Sequence, residues 1–307
     1  MQMLVGALVF CVVLFAYLHV HFHWKICDDL EVLEIDNPSK DELEEICDLR
    51  QPLRFRARLG ELGDVCSRSR LRDSYGAFDV KVRDLSIPPG PEDELHLPVS
   101  LANALGLTEG DGESRYIVES SGDFLEETGL AKVYRASDEQ LRPYMVASCA
   151  YDLTTGSKGA RSPLRYHVNY RNYYFVTEGE VSIKMAPPRS SRYLREERDY
   201  ENFEFRSPID PWDETPEARA ALTKVRFLEI MLRPGDVLHV PAYWWHSIKY
   251  GPGSTVCCMR YRTYMNTVAV LPRLAMRVLQ TQNVKRLTAT VSTRVDDSSA
   301  SEPGGDA

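Results

Sequence analysis

The stretch Leu232–Gly251 reads LRPGDVLHVPAYWWHSIKYG. Pro234-Gly235-Asp236 is a turn signal, because proline presets one dihedral and glycine tolerates the left-handed one. Two short apolar runs follow, "VLHVP" and "YWWHSIKYG", and each reads as a strand. His246 beside Trp244 and Trp245 is either a metal ligand in an apolar pocket or a core histidine with no chemistry. The two tryptophans read as barrel-wall packing, and His239 as a residue filling its place in a strand.

Working outward, the same pattern repeats. "NYYFVTEG" and "EVSIKMAPP" are strands broken at Gly179 and ended by Pro187-Pro188. "VRFLEIML" precedes the opening stretch and "STVCCMRYRTYM" follows it. Several short strands with turns between them predict a closed or sandwiched β structure. A charged segment from Arg189 to about Lys224 interrupts them. Such an insertion is either a functional loop or a solvated excursion over the outside of the barrel.

Towards the N-terminus, "NPSKDELEEICDL" (Asn37–Leu49) predicts a short helix. Ser39 caps it, Glu42 completes a capping box, and Leu43, Ile46 and Leu49 share an apolar face. "AFDVKVRDL" alternates as a strand, and "SIPPGPEDELHLP" is loop. Leu101–Leu141 is mixed and rich in turns. Towards the C-terminus, "VAVLPRLAMRVLQTQNVKRL" predicts an amphipathic helix interrupted near Pro272. Leu271, Leu274, Met276, Val278 and Leu279 would turn its apolar side onto the chain's own domain. "DDSSASEPGGDA" is a polar segment expected to be disordered.

The chain has 307 residues, 43% hydrophobic and 27% charged, which fits a folded body. Its net charge of −8 argues against nucleic-acid binding, which needs a basic face. The first 24 residues carry no Asp, Glu, Lys or Arg, and Met3–Leu18 is almost wholly apolar. With the following "HVHFHW" in the interface, this stretch is long enough to span a bilayer. Tyr17, Phe22 and Trp24 stand where interfacial aromatics belong. A cleaved secretory signal would need a positive N-terminal region and small residues at its exit, and both are lacking. The expectation is a retained single-pass anchor. Lys25 follows the span and no basic residue precedes it, which places the body on the cytoplasmic side. Asn37 is followed by Pro, so it is no glycosylation acceptor, in keeping with that side. His19, His21 and His23 alternate, but residues two apart on a helix do not share a face. They read as polar residues ending the span. The seven cysteines show no CxxC or zinc spacing and read as free thiols.

Two histidines near strands could act together: His167 in "PLRYHVNYRN" and His246 in "AYWWHSI". Non-haem iron enzymes hold their metal with two histidines and one carboxylate on one face, leaving open positions for cosubstrate and oxygen. The runs NYYFVTEGEVSIKMAPP (Asn172–Pro188) and LRPGDVLHVPAYWWHSI (Leu232–Ile248), with the spacing between them, resemble the JmjC-type cupin-like family, in its factor-inhibiting-HIF-like branch. The resemblance covers about Leu164 to Thr263 and extends more loosely back to Asp41.

The resemblance implies a double-stranded β-helix, the cupin or JmjC jelly-roll barrel, and for active members Fe(II) and 2-oxoglutarate. His246 matches the second iron-ligand histidine. His167 matches the first if one residue of gap is allowed, and Asn169 then falls where the family has its carboxylate. Asn172 matches the family position nine residues before the cosubstrate-binding lysine, and the resemblance counts it in the cosubstrate pocket. Val181 stands where the cosubstrate-binding lysine would be, and the pleat turns Lys184 to the opposite face. Arg260, on the last strand, is the candidate replacement, because a guanidinium can hold a carboxylate with two hydrogen bonds.

The expected fold is therefore mainly β with flanking helices: a barrel plus an N-terminal transmembrane helix. Its parts are an anchor over 1–24, a flanking region over 25–100 packed on the barrel, the barrel over 101–266, a C-terminal helix over 267–290 and a tail over 291–307. The expected function is a membrane-anchored cupin-like protein with a degenerate oxygenase site and a binding or scaffolding role toward a protein partner. The alternatives are a working Fe(II)/2-oxoglutarate protein hydroxylase and a small-molecule-binding cupin.

Overall fold

The computed structural model describes residues 2–87, 96–200 and 202–282. Eight strands build the barrel: β1 (Val146–Gly156), β2 (Leu164–Tyr166), β3 (Arg171–Glu178), β4 (Val181–Ala186), β5 (Leu228–Leu232), β6 (Asp236–Pro241), β7 (Trp245–Tyr250) and β8 (Thr255–Thr263). They fall into two antiparallel groups, β6-β3-β8-β1 and β2-β7-β4-β5. Successive strands alternate between the groups, except that β4 and β5 both lie in the second, which is the winding of a double-stranded β-helix.

The first group is extended at both ends into a nine-stranded sheet. Leu53–Arg56, with Leu33–Ile35 beyond it, pairs along β6. Tyr116–Val118 pairs along β1 and leads to Asp79–Asp84 and Leu97–Ser100. The charged segment after Pro188 adds two strands to the other sheet: Glu204–Ser207 pairs with β2, and Glu197–Asp199 with that strand. This segment therefore widens the wall, and it carries Glu204 to the barrel mouth.

Alternation along each strand sorts the side chains into three cores. Tyr174, Val176, Leu238, Val240, Val256 and Cys258 of one sheet face Val181, Ile183, Met185, Ile248 and Tyr250 of the other inside the barrel. The outer face of the larger sheet, with Tyr173, Phe175, Val237, Cys257, Met259 and Tyr261, is covered by short helices from the chain's first half. The outer face of the smaller sheet packs Tyr166, Trp245, Phe205 and Leu194 together. The adjacent Cys257 and Cys258 thus lie on opposite faces, and all seven cysteines are free thiols.

Gly179 makes the β3–β4 turn possible. Its φ is +69°, and a Cβ there would lie 2.6 Å from the Ser254 Cα. The helix Lys40–Cys47 has both halves of its capping box: Ser39 N donates to Glu42 at 2.7 Å, and Glu42 N to Ser39 Oγ at 3.3 Å. Leu43 and Cys47 are buried, but Leu49 is exposed, contrary to the periodic reading. The helix stops at Cys47, so Leu49 has left its face.

The N-terminal helix spans Gln2–Trp24, 23 residues, and is long and apolar enough to cross a membrane. Its outward surface is bare except at Ala16, His19, Val20 and His23, a spacing that marks one face. That face meets the helix Tyr264–Ala269. The C-terminal helical segment breaks at Val270 and resumes over residues 271–282, with Pro272 in its first turn, where a missing amide hydrogen costs nothing. Residues 283–290 of the expected helix and the tail over 291–307 lie outside the described residues.

Candidate functional site

Arg165 on β2 lies directly opposite His246 on β7. The period of two places His167, just beyond β2, on the same inward side as Arg165. The two imidazoles meet there, with ring centroids 5.2 Å apart. The β6–β7 turn fixes this approach. Tyr243, at φ +67°, donates its backbone N–H to the His167 carbonyl at 2.9 Å. A non-glycine residue in that conformation is held there by its surroundings. Trp244 and Trp245 are fully buried, with indole N–H groups donating to Arg50 O at 3.2 Å and Ser191 Oγ at 2.8 Å. They form wall, as read from the sequence.

The tautomer of His246 follows from its partners. Nδ1 lies 3.2 Å from the Trp244 carbonyl, which can only accept, so Nδ1 carries the proton. Nε2 is then the acceptor, and the Tyr174 hydroxyl donates to it at 2.6 Å. Burial, with Arg165 nearby, pushes the His246 pKa down to about 3, so the ring is neutral. Burial and then Arg260 and His246 push His167 well below the usual imidazole range. Its Nε2 is buried without a partner.

Asn169 does not face these rings with a free oxygen. Its Oδ1 accepts from Arg262 Nη2 at 2.9 Å. Asn172, buried on β3, donates from Nδ2 to Val240 O at 3.1 Å, and its Oδ1 has no partner. The guanidinium of Arg260, the residue the resemblance offers for the cosubstrate, is paired with Asp152 at 3.2 Å. Asp152 is held in turn by the backbone N–H of Ser121 at 2.7 Å. Val181 packs in the interior, and Lys184 lies outside with its ammonium 4.4 Å from the Trp212 ring centroid.

Behind the histidines lies an ion cluster that the sequence reading did not anticipate. Glu119 pairs with Arg165 at 2.9 Å and with Arg83. Glu204 pairs with Arg165 at 3.1 Å and Arg83 at 3.3 Å, and His96 lies 3.4 Å from Glu119. Burial raises the Glu119 pKa, but Arg165 and Arg83 outweigh it and hold the carboxyl well below its usual range. One signal was available: in R-Y-H, a strand period places Arg165 beside His167. Glu119 carried none, because its arginine partners are 36 and 46 residues away in the chain.

An iron(II)/2-oxoglutarate centre can be tested against these groups. Two neutral imidazoles suit a divalent ion. The third donor is a neutral amide already bonded to Arg262, and the lone pair of His246 is occupied by Tyr174. Among the described residues, no three His, Cys, Asp or Glu side chains are grouped to hold a metal ion. The cation expected for the far carboxylate of the cosubstrate is neutralised by Asp152. The residues present do not fit the iron centre.

Comparison with known proteins agrees with the winding of the barrel. Residues 115–266 match the family model described as a cupin-like domain. Over 94 residues, 31% of the chain, the sequence is 31% identical to the Jumonji C domain-containing protein 5 of Drosophila melanogaster, covering 23% of that protein. Over 98 residues, 32% of the chain, it is 30% identical to the HSPB1-associated protein 1 of Bos taurus, covering 20% of it. The matched stretch spans less than a quarter of either relative.

Proposed function

We propose that the chain, whose residues 115–266 match a cupin-like domain, is a membrane-anchored member of the JmjC-type cupin-like family whose oxygenase site is degenerate and which serves as a binding or scaffolding protein. One observation carries the reading: the side chain at the carboxylate position is Asn169, and Arg262 already holds its oxygen at 2.9 Å. A hard divalent ion there would lose the negative charge that such sites normally supply, and it would sit beside a guanidinium. The surrounding acids are committed elsewhere, Asp152 to Arg260 and Glu119 and Glu204 to Arg83 and Arg165. The apolar helix Gln2–Trp24 supports the anchor, and Lys25 after it supports a cytoplasmic body.

A working hydroxylase acting on a protein is the second reading. The observation on its side is the orphaned Nε2 of His167, a buried polar atom that is costly to leave without a partner. The test uses the full chain in lipid nanodiscs under anaerobic conditions, with Fe(II) and then 2-oxoglutarate added. The expected result is no metal-to-ligand absorption band and an unchanged thermal midpoint, since a ligand that binds only the native state must raise it. A band that vanishes in His246→Ala would replace the scaffold reading with the enzyme.

A further inference from the structure

The helix over residues 271–282 is turned inside out relative to an ordinary surface helix. Arg273 and Arg277, four residues apart, face the body. The Arg273 guanidinium lies 5.0 Å from the Tyr243 ring centroid and 5.1 Å from that of Phe205, and Arg277 lies 5.5 Å from that of Phe203. The opposite side carries Leu271, Val278 and Leu279, exposed at 57%, 56% and 54%. Leu274 alone of the apolar residues is partly covered, by the core outside the smaller sheet. The expectation that this helix turns its apolar side onto its own domain is therefore corrected: the aromatic edges of the body take the arginines instead. A soluble surface gains nothing from a contiguous apolar stripe of this kind.

The position of the stripe says what covers it. The helix Tyr264–Ala269, one residue before it, packs on the last turns of the N-terminal helix, and Trp24 Nε1 donates to the Ala269 carbonyl at 3.2 Å. A helix of 23 residues is about 34 Å long at 1.5 Å per residue. The hydrocarbon core it must cross is about 30 Å thick. There is almost no slack, so Ala16–His23 must lie at or inside the boundary of the bilayer. Whatever packs on those turns lies at the same depth. Tyr264 and Val268, on that packed helix, are themselves 58% and 49% exposed.

We propose that the C-terminal helix lies in the headgroup boundary of the bilayer that its own N-terminal helix crosses, with Leu271, Val278 and Leu279 in lipid and Arg273 and Arg277 against the body. The inference rests on the anchor reading. The barrel is then held to the membrane surface at two points and cannot swing about a single tether.

The test places a photo-crosslinking residue singly at Val278, at Leu8 in the N-terminal helix, and at the exposed Ala220, in the full chain reconstituted in phosphatidylcholine vesicles. Lipid adducts at Val278 and Leu8, several-fold above Ala220, are the expected result. Adducts at Leu8 with Val278 no higher than Ala220 would overturn the inference and leave the anchor standing. Crosslinks from Val278 to a second copy instead of lipid would also overturn it. No lipid adduct at Leu8 would remove the anchor, and the inference with it.

Discussion

The Nε2 lone pair of His246 is where a metal would bind, and the Tyr174 hydroxyl donates to it at 2.6 Å. Asn169 is occupied in the same manner by Arg262. Two changes should therefore act together. Asn169→Asp restores a charged donor, and Tyr174→Phe frees the imidazole. The double variant should take up Co(II) at least about tenfold more tightly than the unaltered chain, a gain of about 1.4 kcal/mol, measured by titration of the visible cobalt bands. No gain would mean that the space between the rings, rather than charge, excludes the ion. The histidines also set a pH dependence. His246, His167 and His239 all have pKa values below the ordinary imidazole value, chiefly through burial, so unfolding lets them take up protons. Their contribution to stability is complete above about pH 6.5 and is lost as the pH falls from there toward 3, the value for His246. Each costs up to about 1.4 kcal/mol per pH unit in that window. Denaturant melts between pH 7 and 5 should show stability falling with acidity, and His239→Gln should reduce the slope by about one proton.

The elements most open to reading were those whose burial is one-sided or complete. NYYFVTEG, VSIKMA, DVLHVP and the run through Cys257-Cys258 are strands because β-branched and aromatic residues recur between turns. β1 escaped notice: Val146–Gly156 begins with exposed and half-exposed residues and becomes buried only from Asp152 onward. The helices between Leu101 and Ser137 were also unmarked. They are short, and none has a side-chain cap, so they hold their shape by packing into the core outside the larger sheet rather than by local signals. In the site, the histidine pair was legible from the family resemblance, each histidine standing beside a strand run. The pairing of Arg260 with Asp152 and of Arg165 with Glu119 was not, because it joins residues 108 and 46 positions apart. That ion cluster makes its own prediction. Glu119→Gln leaves Arg83 and Arg165 buried beside a neutral group, and loss of one partner from such a network costs about 3–5 kcal/mol. A fall in the thermal midpoint of the detergent-solubilised chain checks it. Gly179→Ala should also lower that midpoint, because alanine is strained at φ +69° and its Cβ would meet Ser254 backbone at 2.6 Å.

For the whole molecule, the proposed anchor is the reading most easily tested. Val12 lies mid-helix and is exposed. The full chain should remain in the membrane pellet after alkaline extraction. Val12→Arg, which adds about 2.5–3.5 kcal/mol to the cost of insertion at a helix centre, should shift a large part of it to the supernatant. Retention unaffected by the arginine would count against a spanning helix.

The order of strands has a consequence for synthesis. β8, the last strand of the barrel, is inserted between β1 and β3, and it pairs with both. Until Thr263 has left the ribosome, those two strands have no neighbour on their facing edges, and unpaired edges invite pairing with other chains. The earliest segments wait as well, since Leu53–Arg56 finds its partner only when Asp236–His239 arrives. Contacts so distant in the chain make for slow closure. A ribosome stalled just before Thr255 should therefore display a protease-sensitive, chaperone-bound nascent chain, which turns protease-resistant in one step once the remaining strand is released.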